Sequence, residues 1–156
     1  MSLRSFASVV AALAALGVAS AASAAVTFVG PDGWHHVDQP STDSVHKFDQ
    51  WKMSGANQTI TIIQDSSTAY ADSLGAVRKN FADNHIRASI DKDEPCMGRP
   101  SHVVEYTVGP EGHQIIVNRL IVPDGNGVVT VTYARDIPDF DPDAKKALTA
   151  FCAQAG

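Results

Sequence analysis

The sequence predicts an α+β domain, an antiparallel sheet of about six strands flanked by two helices. Three observations predict it. Short stretches that alternate apolar and polar residues are separated by Gly-, Asn- and Pro-containing turns. Two other stretches, near residues 67–83 and 141–154, repeat their apolar residues at helical spacing. Neither an internal repeat nor a Gly/Ser/Pro-rich linker divides residues 25–156, so they read as one domain.

The first 24 residues read differently. Arg4 precedes an apolar stretch from Ser8 to Val18, and Ala22-Ser23-Ala24 fits a small-x-small cleavage site. That order describes a secretory signal peptide over residues 1–24, cleaved near Ala24. The apolar stretch is short of the roughly 20 residues that a bilayer span needs. The mature chain is therefore expected in the periplasm or the medium, without a membrane span. No cysteine sits at the cleavage point to carry a lipid.

Within the domain, "PDGW" at Pro31–Trp34 enters a first strand. Val45–Met53 and Gln58–Gln64 form a hairpin around Ser54-Gly55-Ala56-Asn57, with Trp51 opposite Ile60 and Phe48 opposite Ile63. In the helix that follows, Tyr70, Leu74, Val77 and Phe81 make one stripe, and Ser67 or Thr68 can cap its start. His85–Asp91 alternates as a short strand, and Lys92–Pro100 reads as a loop. Ser101–Val108 and His113–Val122 make a hairpin, and Pro123–Gly127 turns the chain into a strand over Val128–Arg135. Asp141-Pro142 is an N-cap followed by proline at the first helical position. Setting Val108 opposite His113 places Val104, Tyr106, Ile115, Val117, Ile121, Val129, Val131 and Tyr133 on one face. It also sets His102 opposite Arg119.

This order of elements resembles the PsbP-like fold of photosystem II extrinsic subunits and of many small exported bacterial proteins. The residues that carry the likeness are "PDGW", the Trp51 strand with "QTITII", and "SLGAVRKNF". "GRPSHVVEYTV" at Gly98–Val108, "VVTVTYAR" ending at Arg135 and the C-terminal helix complete it. The resemblance implies an α/β/α sandwich and a binding or assembly subunit rather than an enzyme. It carries no functional residue over to this chain.

Composition narrows the partners. The chain has a net charge of −5, and loss of Arg4 takes the mature form to about −6. Without a basic cluster, that balance argues against nucleic acid and anionic lipid. Cys96 and Cys152 are an even pair in a chain expected to be exported, which reads as a disulfide tying the last helix to mid-chain. A reactive dithiol is the alternative, without C-x-x-C spacing to support it.

Two constellations bear on chemistry. His35, His36 and His46, with Asp38 or Asp43, could supply an N/O shell for zinc or copper if residues 40–44 loop back. On a regular strand His35 and His36 point to opposite faces, and the histidines are then ordinary solvated residues. His102 and Arg119 could form the polar end of a ligand pocket under a helix. Alternatively, Arg119 reaches solvent or pairs with Glu94 or Asp136 at the sheet end. Ser44-Val45-His46-Lys47 fits S-x-x-K, but no S-D-N or K-T-G follows, and there is no G-x-S-x-G. The expectation is an exported, non-enzymatic binding or assembly module whose partner is another exported protein. The alternative is a periplasmic metal or small-ligand binder using His35, His36 and His46, with zinc or copper its only foreseeable cofactor.

Overall fold

The computed structural model describes residues 28, 30–38, 43, 45–96 and 98–153. The predicted signal peptide, residues 1–24, lies outside them. The elements are β1 (Trp34–Val37), β2 (His46–Met53), β3 (Gln58–Asp65), α1 (Tyr70–Asp83), β4 (Ala88–Cys96), β5 (Arg99–Val108), β6 (Ile115–Asp124), β7 (Gly127–Asp136) and α2 (Pro142–Ala153). All seven strands join one antiparallel sheet in the order β1-β2-β3-β7-β6-β5-β4. The strand count is thus one above the expected six. Among the described residues, no helix is long and apolar enough to cross a membrane.

The β2–β3 register is the predicted one, with Trp51 opposite Ile60 and Phe48 opposite Ile63. Elsewhere the sheet corrects the expectation. Lys92–Cys96 is strand rather than loop, because β4 is an edge strand. Its Asp91, Lys92, Asp93, Glu94 and Pro95 are the charged residues and proline that edge strands carry against unwanted pairing. His85 does not start that strand. It ends α1 with a left-handed φ of 55°, and the Asn84, His85 and Ile86 amides bond back to α1 carbonyls.

The two later hairpins close differently from the expectation. Val108 pairs with Ile115, so the β5–β6 loop is longer than four residues. Asp124 pairs with Gly127, leaving a two-residue turn of Gly125 and Asn126. Gly125 takes φ 61° at the first turn position, where glycine is favoured. This tight turn moves β7 by one residue relative to β6, and a one-residue slip exchanges the two faces of a strand. Val129, Val131 and Tyr133 therefore lie on the face opposite Val104, Tyr106 and Val117.

The helices cover opposite faces. On one, Ile60, Ile62, Leu120, Val122, Val129, Val131 and Tyr133 pack with Ala144 and Phe151 of α2 in the larger core. On the other, Val104, Tyr106 and Val117 pack with Phe81 of α1 and Ile86 in a smaller cluster. The predicted Asp141 cap is present: its carboxylate accepts from the Asp143 amide at 2.8 Å and from Trp34 Nε1 at 2.9 Å. The expected Ser67 or Thr68 cap on α1 is not, since Ala69 holds the N-cap position without a side-chain bond. The Ser67 and Thr68 amides donate instead to Asp65. Cys96, at the end of β4, is disulfide-bonded to Cys152 of α2.

Candidate functional site

The α1 face is loosely filled. Not one of the fourteen residues of α1 is buried, whereas Ala144 and Phe151 of α2 are fully enclosed. Val77 and Phe81 of the predicted stripe face the sheet, yet they and Leu74 are only half-buried. Beneath the helix runs a groove of about 510 Å³. Val77, Phe81, Ile86 and Val108 form its apolar walls, and Tyr106 and Arg119 of the sheet reach its floor. The Phe81 and Tyr106 rings meet edge to face at 4.8 Å. The Arg119 guanidinium lies over the Tyr106 ring, 6.0 Å from its centroid, and its Nε is buried without a hydrogen-bond partner among the described residues. A donor in that state costs about 1–3 kcal/mol and more when charged.

His102 and Arg119 share this face but are not directly opposite. His102 pairs with Ile121, and Arg119 sits between Val104 and Thr132. The two-residue offset follows from the longer β5–β6 loop. His102 is turned to the edge strand. Its Nδ1 is 2.8 Å from Asp93 and its Nε2 is 2.9 Å from Asp91. With both ring nitrogens engaged and only 4% of the residue exposed, His102 fastens β4 to β5. It offers no nitrogen to a ligand. Arg119 pairs with neither Glu94 nor Asp136: Glu94 bonds Lys92 at 2.8 Å and Asp136 accepts from Asn57 at 2.9 Å.

The structure does not bring His35, His36 and His46 together. His35 and His36 are successive residues of β1 and point to opposite faces, as strand geometry requires. His36 pairs with Asp49 and with Asp38. His46 lies 2.8 Å from Asp43 and 3.5 Å from Asp65. Among the described residues His35 has only a long contact to Ser54 at 3.4 Å. The hydrogen bond that His36 donates to Asp49 raises His36 above the ordinary imidazole range, and the one that His46 donates to Asp43 raises His46. Asp43 is lowered in turn by His46. These are surface ion pairs, each holding a ring away from a shared centre. Among the described residues no group of three or more His, Cys, Asp or Glu is placed to hold a metal ion; residues 39–42 and 44, on which the expected zinc or copper shell depends, lie outside them.

A second cleft, of about 400 Å³, opens on the other face between α2 and β4–β6, with the disulfide in its wall. Its lining includes Lys92, paired with Glu94 at 2.8 Å, Lys145, 3.8 Å from Glu105, and Arg119, which also borders the α1 groove. The Arg119 guanidinium itself lies over Tyr106, on the α1 side of the sheet. The stripe of Tyr70, Leu74, Val77 and Phe81 foretold the helix, but nothing in the sequence signals that the helix stands off its sheet.

No family model and no curated protein matches this chain. Solved structures do. The chain is similar to the Pseudomonas aeruginosa protein PA94, of unknown function, with a TM-score of 0.54 and 16% identity over 73% of this chain and 85% of that one. It also aligns with LpqN of Mycobacterium tuberculosis, involved in cell envelope biogenesis, with a TM-score of 0.49 and 14% identity over 82% and 80% of the two chains. At these identities the likeness to PA94 is one of fold.

Proposed function

We propose that this chain is an exported, non-enzymatic binding or assembly module of the PsbP-like kind, acting in the periplasm or the medium, and that it binds in the groove between α1 and the sheet. One observation carries the reading: a fourteen-residue helix buries none of its residues and stands over an amphipathic groove of about 510 Å³. Grooves of that size with apolar walls and a few polar groups are where small ligands bind. The disulfide suits an oxidising compartment, and Arg4 to Ala24 supplies the export signal. The non-enzymatic part rests on the lack of a nucleophile–base pair around the groove, where Ser73, Asn80, Tyr106 and Arg119 are the polar side chains. Another exported protein is the expected recipient or assembly partner.

The test is a titration of the folded protein with the neutral dye N-phenyl-1-naphthylamine. Wild type is expected to give a saturable, one-to-one rise in fluorescence. Val77→Trp, which fills the groove, should abolish that rise while leaving the circular dichroism spectrum intact. An equal rise in the filled variant would overturn the assignment of the groove.

A further inference from the structure

We infer that the α1 groove takes a small organic monoanion, a carboxylate on a compact apolar body, anchored by the Arg119 guanidinium. The inference rests on the groove being this chain's binding site. Three arginines, Arg99, Arg119 and Arg135, are half-buried. Arg99 donates to the Pro123 carbonyl at 2.8 Å and to the Asp124 carboxylate at 3.2 Å. Arg135 also leaves its Nε unbonded, but its Nη1 donates to the Ile137 carbonyl at 3.0 Å. Arg119 has only the Tyr106 ring among the described residues.

Four carboxylates that the sheet carries on the Arg119 face are already engaged. Asp91 and Asp93 bond His102, Asp136 accepts from Asn57, and Asp65 accepts from Ser67 and Thr68. The groove thus pairs one unmet cation with apolar walls from Val77, Phe81, Ile86 and Val108. A single guanidinium presents a planar fork that matches one carboxylate in two parallel bonds. The walls require the rest of the ligand to be apolar, so a bare inorganic anion would satisfy Arg119 and leave them wet. The neighbouring tyrosine ring adds a flat surface against which an aromatic or aliphatic body can stack.

The experiment is an NMR titration of the folded protein with 4-phenylbutyrate and, in parallel, its neutral counterpart 4-phenyl-1-butanol. The acid is expected to bind at least tenfold more tightly than the alcohol and to shift the Phe81, Tyr106 and Val108 signals. Arg119→Met should remove that preference while leaving the alcohol's affinity within about twofold, and Arg119→Lys should keep part of it. Equal binding of both probes, unaltered by Arg119→Met, would overturn the anionic ligand and leave the groove standing. If neither probe nor the neutral dye binds wild type, the groove itself is the wrong site. Shifts confined to residues outside the groove would overturn the inference as well.

Discussion

Tyr133→Phe tests how the larger core is held together. Tyr133 is fully buried. Its hydroxyl donates to Gln58 Oε1 and accepts from the Asp141 amide at 3.1 Å. That single oxygen joins β7, β3 and the start of α2, and Asp141 in turn receives Trp34 of β1. Burial raises the Tyr133 hydroxyl above the ordinary phenol range, so it stays protonated and able to donate. Replacing it by phenylalanine leaves the Gln58 oxygen, in a residue only 5% exposed, without its donor, at about 1–2 kcal/mol. The half-buried Asp141 amide recovers part of its bond from water, adding about 0.5–1 kcal/mol. The expected loss is about 1.5–3 kcal/mol. With a urea m-value near 2 kcal/mol/M, the midpoint should fall by about 0.75–1.5 M at unchanged slope. Adding Gln58→Leu removes the stranded acceptor, so the double variant should be more stable than the sum of the two single losses predicts. A loss below about 0.5 kcal/mol for Tyr133→Phe, or strict additivity in the pair, would refute this account.

Two further outcomes follow from the pairs described above. Changing Cys96 and Cys152 together to serine opens a link spanning 56 positions, and loop-closure entropy puts the loss at about 4 kcal/mol; a denaturant titration showing less than about 1 kcal/mol would contradict it. His46, whose folded-state value is raised by Asp43, contributes stability that is fully present below the ordinary 6.5 and is lost as pH rises through its folded value. Asp43, lowered by the same contact, contributes above its ordinary 3.8 and loses that contribution as pH falls through its own folded value. The pair therefore acts most strongly between about pH 4 and 6.5. His46→Gln should lower stability across that window and flatten the fall above pH 6.5, and an NMR titration placing His46 at or below 6.5 would remove the basis for it.

Several elements were legible because local chemistry decides them. Trp51 and Ile60 face each other across β2–β3 because the turn between Met53 and Gln58 leaves only one register that pairs the apolar residues. Asp141-Pro142 starts α2 because a carboxylate cap and a proline are compatible with a helix only at that end. The register of β6 with β7 was not legible in this way. The sheet is covered on both faces, so Val117, Leu120, Ile121 and Val122 are all buried. With apolar residues on both faces, alternation stops telling one from the other. A turn read one residue too long then exchanged the sides of Val129, Val131 and Tyr133 without any visible conflict. The edge strand misled for the opposite reason. Asp91–Pro95 looks like loop because an edge strand is built to look unlike a partner.

The sequence by itself determined the α+β class, the two helical stripes, the first long hairpin and the cysteines available to be joined. These depend on contacts close along the chain or on residue type alone. Only the tertiary structure decided which side each helix covers, that His102 is locked between Asp91 and Asp93, and that Arg119 meets no counter-ion among the described residues under a half-seated helix. Whether a charged group is paired depends on residues brought from distant strands. Periodicity shows that such a group faces inward, and packing alone shows what, if anything, meets it there.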